Sequence, residues 1–145
     1  MTVRATLSAK GHHVVTVAPE STVAAAAQTM AEAHIGAAVV SPDGTTIAGI
    51  LSERDIVRAI GLNGGGVLTD PVQDHMTADV HTCHGEDRIS TLMVMMTQHR
   101  IRHVPVVDAA GALAGLISIG DVVKQRMDEI QAEAEAMRDY IRRPY

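Results

Sequence analysis

The sequence predicts an α/β (α+β) fold built from two copies of one β-α-β-β-α unit, followed by a C-terminal helix. Three observations predict it. The segment Gly49-Ile50-Leu51-Ser52-Glu53-Arg54-Asp55-Ile56-Val57-Arg58 returns 66 residues later as Gly115-Leu116-Ile117-Ser118-Ile119-Gly120-Asp121-Val122-Val123-Lys124. The same offset pairs Ile35 with Ile101, Met30 with Met96, Glu20 with Glu86, Thr16 with Thr82 and Val14 with Val80, with no gap needed. Within each copy, short β-branched runs alternate with stretches whose apolar residues recur at helical spacing. A period held over so many positions marks two copies of one supersecondary unit, and two such units can enclose a cleft that neither makes alone.

The elements follow in order. Thr2 to Lys10 reads as a leading helix stopped by Gly11, and Val14 to Val17 is strand-like. Ala18-Pro19-Glu20-Ser21-Thr22 is a turn with a Ser/Thr cap, and the Ala-rich stretch Val23 to His34 is a helix. Ala37 to Val40 is a short strand ended by the turn Ser41-Pro42-Asp43-Gly44; Ile47 to Leu51 returns, and Glu53 to Ile60 is a second helix. The second unit repeats the order as Val80 to Cys83, Ile89 to His99, His103 to Val107, a turn at Asp108-Ala109-Ala110-Gly111, Leu113 to Ile117 and a helix from about Gly120. Between the units, Gly61-Leu62-Asn63-Gly64-Gly65-Gly66 reads as a flexible linker. Asp70-Pro71-Val72 starts a short helix leading to Met76, the counterpart of Lys10 at the repeat offset. The expected division is residues 1–66, 67–126 and an amphipathic helical tail over 127–145, where Met127, Ile130, Ala134, Met137 and Ile141 form a stripe that needs the body or a second copy of the chain to cover it.

Composition narrows the function. The 145 residues are 46% hydrophobic, enough for a core, yet contain no Phe, no Trp and only two Tyr. A stacking platform for nucleic-acid bases is therefore missing. The net charge of −5 disfavours a general polyanion-binding surface while leaving room for a small anionic ligand held by a few placed groups. Cys83 is the only cysteine, no signal core opens the chain, and no run of about 18 apolar residues exists to span a bilayer. A cytoplasmic protein with no membrane and no nucleic-acid partner is expected.

The repeated Gly-apolar-apolar-Ser-x-x-Asp element carries two readings. Ser-x-x-Asp after a strand is the pattern of a helix N-cap, worth about 1 kcal/mol. It is also a workable nucleotide half-site. The N–H groups and partial positive charge of a helix N-terminus suit a phosphate, a Ser hydroxyl adds a donor, and a carboxylate one turn on accepts ribose hydroxyls.

Two units each closing on this element, with Arg102-His103-Val104-Pro105-Val106-Val107-Asp108 before the second hairpin, resemble a tandem pair of cystathionine-β-synthase (CBS) domains, a Bateman module of the stand-alone bacterial type. The resemblance covers about residues 10–126; the first copy departs from the pattern with Ala38-Val39 where Val104-Pro105 stands in the second. It implies pseudo-two-fold symmetry and clefts between the units that take AMP foremost, or ADP, ATP, an NAD-type dinucleotide or S-adenosylmethionine, without a metal. It implies that Asp55 and Asp121 hold ribose hydroxyls and that Ser52 and Ser118 lie at the ribose-phosphate end. Gly36-Ala37-Ala38 and Arg102-His103-Val104 would frame the adenine, with Val14-Val15 and Val80-His81 closing the pocket among aliphatic side chains.

The copies also differ. Arg54 becomes Gly120, Gly36 becomes Arg102 and Lys10 becomes Met76, so one cleft is expected to hold phosphates more firmly than the other. Arg54 could equally be a solvated helix-face residue paired with Glu53. His81, Cys83 and His84 lie close together, but their first-copy counterparts are Val15, Val17 and Ala18, and no metal-ligand spacing occurs. His103 reads as a framing or packing residue, Cys83 as a packing cysteine, His12, His13 and His99 as loop and helix-end residues, and Met93, Met95 and Met96 as core filler. The expectation is a non-enzymatic regulatory module with no fused output domain, sensing energy or metabolite state for a protein partner and associating as a homodimer. The alternatives are a structural or oligomerisation module with non-functional clefts, and an enzyme acting on a bound nucleotide through His103 or Cys83.

Overall fold

Local signals place the first elements in a computed structural model that describes residues 1–144; Tyr145, the last residue of the expected tail, lies outside the described residues. Helix α1 (Val3–Lys10) starts where the Thr2 hydroxyl accepts the Ala5 N–H, and it stops at Gly11, whose φ of 104° suits glycine. Strand β1 (Thr16–Val17) precedes α2 (Val23–Ala33), which is capped by Thr22 and ended by His34 in the left-handed conformation. Strands β2 (Ala37–Val40) and β3 (Gly49–Ser52) form an antiparallel hairpin, with β1 parallel to β2 on its other side. Helix α3 (Glu53–Asn63) closes the unit. The second unit has α4 (Ile89–His99), the antiparallel pair β4 (His103–Val107) and β5 (Leu113–Ser118), and α5 (Ile119–Arg142), which runs without a break across residue 126.

The expected strand Val80 to Cys83 is reduced to one parallel bridge between Cys83 and Val106. Pro105 gives the reason. In the first unit the Val39 N–H donates to Val15 O at 3.3 Å; Pro105 stands at the equivalent place and has no N–H to give His81. Two rungs survive, Cys83 N–H to Pro105 O at 3.0 Å and Val107 N–H to Cys83 O at 2.8 Å. Its first-unit counterpart is also shorter than expected, with only Thr16 and Val17 of Val14–Val17 in the ladder.

The glycine-rich linker is not a free tether. Gly61 to Asn63 complete α3, and Gly65–Thr69 form a 3-10 turn anchored by buried Val67 and by Leu68, which packs on the first core. A second 3-10 turn, Val72–Asp74, leads to Met76.

The two cores exchange their leading segments. The first gathers Val23, Met30, Val40, Leu51 and Ile56 with Val72 and Met76 from the segment ahead of the second unit. The second gathers Cys83, Leu92, Met96, Val104 and Ile117 with Val3 and Leu7 of α1. Backbone bonds repeat the exchange: Val72 N–H donates to Ser21 O at 2.8 Å and Gln73 N–H to Pro19 O at 3.0 Å, while Val3 N–H donates to Asp87 O at 2.8 Å and Arg4 N–H to Gly85 O at 2.9 Å. The acceptors stand 66 residues apart and the donors 69. The second copy is therefore three residues shorter between its leading segment and its unit, and the counterpart of Met76 is Leu7, not Lys10.

Each segment is admitted by the glycine that opens the repeated motif. A Cβ on Gly49 would lie 2.6 Å from Met76 Sδ and 2.8 Å from Thr77 O, and one on Gly115 would lie 2.7 Å from Leu7 Cδ1. The glycine serves packing of the exchanged segment.

Candidate functional site

Both Ser-x-x-Asp elements fold as strand-to-helix junctions with a complete capping box. Ser52 Oγ accepts the Asp55 N–H at 3.1 Å and Asp55 Oδ2 accepts the Ser52 N–H at 2.9 Å. Ser118 Oγ accepts the Asp121 N–H at 3.3 Å and Asp121 Oδ2 accepts the Ser118 N–H at 2.8 Å. The cap reading is thus realised in both copies, with Asp in the reciprocal position. It occupies only one carboxylate oxygen. Among the described residues no hydrogen bond reaches Oδ1 of Asp55 or Asp121. A half-buried carboxylate fixed through one oxygen, at a helix N-terminus, keeps the other as an acceptor for hydroxyls.

The hairpin ladders set what lies beside each junction. Ala37 pairs with Ser52 and His103 with Ser118. Gly36 O accepts the Glu53 N–H at 2.9 Å and Arg102 O accepts the Ile119 N–H at 2.7 Å. Backbone of residues 36–38 and 102–104 therefore rims the two seats; Ala37, Ala38 and Val104 are buried, Gly36 and His103 half-buried, Arg102 exposed. Val14, Val15, Val80 and His81 are half-buried. His81 stacks on His99 with ring centroids 3.9 Å apart.

The seats are electrostatically unequal. From the end of α1, Lys10 Nζ donates to Asp121 Oδ2 at 2.6 Å and to Leu116 O at 2.9 Å. Burial alone would raise the Asp121 pKa, but the hydrogen bonds from Lys10 and Ser118 outweigh it and hold the carboxyl below its usual range. At the first seat, no side-chain cation reaches Asp55 among the described residues. Arg54 does not pair with Glu53; its Nη1 reaches across the molecule to Arg100 O at 3.5 Å, at the left-handed C-cap of α4, where a cation suits the helix end. Gly120, its counterpart, carries no side chain; a Cβ there would lie 3.6 Å from Ser118 Oγ.

Glu53 is the site residue that sequence reading passed over. A Cβ on Gly36 would lie 3.0 Å from Glu53 Oε1 and 3.6 Å from His103 Cε1, so these three residues converge where the units meet. The imidazole of His103 is held below its ordinary value first by burial, with Lys10 and Arg102 adding to this and the Glu53 and Asp121 carboxylates opposing it. The signal was available: Glu53 stands where the second copy has Ile119, a carboxylate in an otherwise apolar pair of positions.

A cleft of about 630 Å³ lies between the two hairpin turns, lined by Thr45, Asp79, Val80, Thr82 and Ala112 among others. It includes Val80 but neither Ser-Asp junction. The turns are joined there by the Leu113 N–H donating to Thr45 O at 2.8 Å. Among the described residues no helix is long and apolar enough to cross a membrane.

The sequence matches the CBS domain model over residues 10–62 and 72–128. This chain belongs to the CBS-domain family. A CBS-domain containing protein from Agrobacterium tumefaciens is 43% identical, with a TM-score of 0.84 over 87% of this chain and 99% of that one. A CBS domain protein from Pyrobaculum aerophilum, solved complexed with AMP, is 27% identical, with a TM-score of 0.73 over 83% of this chain and 89% of that one. A mitochondrial CBS domain-containing protein of Arabidopsis thaliana is 35% identical over 130 residues, 87% of this chain; the match spans 63% of that relative's length. The two CBS domains here are the two repeats, and the 66-residue offset relates their junctions.

Proposed function

We propose that this CBS pair is a regulatory module that binds an adenine nucleotide, AMP foremost and ADP, ATP or an NAD-type dinucleotide otherwise, and passes its occupancy to a protein partner. It acts in the cytoplasm without catalysing a reaction of its own, and two copies associate through their exposed helical faces. The observation that carries this reading is the unused Oδ1 on two carboxylates fixed at the same register beside a helix N-terminus. AMP in a CBS domain protein 27% identical to this one supports it.

In this reading Asp55 and Asp121 accept ribose hydroxyls, Ser52 and Ser118 with the helix N-termini face the phosphate, and backbone of residues 36–38 and 102–104 frames the adenine. Lys10 gives the second seat a cation that can turn from Asp121 toward a phosphate, whereas Arg54 lies nearer the end of α4.

Calorimetry against AMP, ADP, ATP, NAD and S-adenosylmethionine tests it, with Asp55→Asn and Asp121→Asn beside the wild type. Asn keeps an acceptor for the cap and removes the charge, so each substitution should weaken its own seat by roughly tenfold, about the worth of one charge-assisted hydrogen bond. Unchanged affinity in both would overturn the site assignment.

A second reading, a structural module with non-functional clefts, draws on Lys10, which already pairs with Asp121 Oδ2. It predicts no thermal shift with any adenine nucleotide.

A further inference from the structure

Helix α5 is the longest element at 24 residues, and only its first half rests on the body. Val122 is buried and Gln125 and Glu129 are half-buried, whereas every residue from Ile130 to Arg142 is exposed. A helical segment of this length standing alone in water is marginal, so its stability calls for a partner.

The outer face of α5 supplies the pattern for one. Val123, Met127, Ile130, Ala134, Met137 and Ile141 follow one another at spacings of four and three, placing Met127, Ala134 and Ile141 at heptad position a and Val123, Ile130 and Met137 at d. These side chains are uncovered: Met127 is 63% exposed, Met137 64% and Ile141 73%. At about 100° per residue the seam lies roughly 130° round the helix from Val122, Gln125 and Glu129, so a second helix along it clears the body.

The flanking charges choose occupant and direction. Position g carries Arg126, Glu133 and Tyr140, and position e carries Lys124, Gln131 and Arg138. In a parallel pair of identical helices each g residue meets the e residue of the next heptad across the seam, which brings Glu133 to Arg138 of the second copy, twice by symmetry. An antiparallel pair would oppose Glu133 to Glu133 and Lys124 to Arg138, both repulsive.

We propose that α5 pairs in parallel with α5 of a second copy of this chain as a short two-stranded coiled coil, along Val123 to Ile141. The inference rests on the association proposed above and names its seam. It puts the two CBS pairs at the same end of a shared stalk about 27 Å long, at 1.5 Å rise per residue.

The test uses the full chain with Met137→Cys. A d position faces itself across a parallel two-fold, so mild oxidation should give a disulfide-linked dimer; Asp139→Cys, on the outer side, should not. Cys83 is buried, with its thiol pushed up to about 12 by burial and then by Asp87, and stays out of the reaction. Glu133→Arg should weaken the dimer roughly tenfold by sedimentation, and adding Arg138→Glu should restore it. A dimer that shows no cross-link at 137, or cross-links equally at 139, overturns the seam and leaves the association standing. A monomeric wild type overturns both.

Discussion

Asp121 Oδ2 takes hydrogen bonds from the Ser118 N–H at 2.8 Å, the Ser118 hydroxyl at 3.0 Å and Lys10 Nζ at 2.6 Å. The folded carboxyl ionises below its ordinary 3.8, so its contribution to stability is present above that value and is lost as pH falls through the folded pKa. Lys10→Met should therefore lower the melting temperature at pH 7, and the gap to wild type should close as pH drops below the ordinary carboxylate range. A gap that stays constant with pH would mean that α1 packing, not the charge, was lost. His103 gives a second acid-side loss higher up. Its folded imidazole binds a proton less readily than the unfolded one, so below 6.5 the unfolded chain takes up more protons and stability falls with pH. His103→Asn should flatten the decline in melting temperature between pH 7.5 and 5.5, measured in matched buffers.

Among the elements, those whose local signals agree with their packing were legible. The bounds of β2, α4 and β4 follow from apolar runs bracketed by turns and a left-handed helix end, and both capping boxes could be read from Ser-x-x-Asp. The loss of the strand at Val80 to Cys83 depends on one absent N–H at Pro105, a residue 22 positions away from Cys83 that matters only once β4 is placed beside it. In the sequence the motif glycines open a candidate nucleotide seat, whereas the fold uses them to admit Met76 and Leu7. A Cβ at Gly49 meets a backbone carbonyl that cannot swing away, while one at Gly115 meets only the end of a flexible side chain. Gly49→Ala should thus cost about 1–3 kcal/mol by urea unfolding and Gly115→Ala less. Leu7→Ala should partly relieve Gly115→Ala, giving a non-additive double mutant; strict additivity would show that Leu7 is not the obstacle.

At the scale of the whole molecule, a repeat offset tells which residues are alike but not which neighbour they pack against. That is why the exchange of leading segments, and the shift from 66 to 69 that accompanies it, emerges only in three dimensions. The exchange has a consequence for stability that runs against chain order. Leu7 precedes the first unit but fills the second core beside Cys83, Leu92 and Ile117, and Met76 precedes the second unit but packs on the first core. Removing either side chain takes packing from the unit remote in sequence, at about 2–5 kcal/mol for buried Leu7 truncated to Ala and less for half-buried Met76. In native-state hydrogen exchange, Leu7→Ala should speed exchange in α4 and β4–β5 while sparing α2 and β2–β3, and Met76→Ala should do the reverse. Because each core needs a segment of the other half, denaturant unfolding followed by two probes, one in each unit, should still give coincident transitions for the wild type. Separate transitions, or exchange that rises in the unit adjacent in sequence to the substitution, would show that the halves are independent and that the exchanged contacts do not couple them.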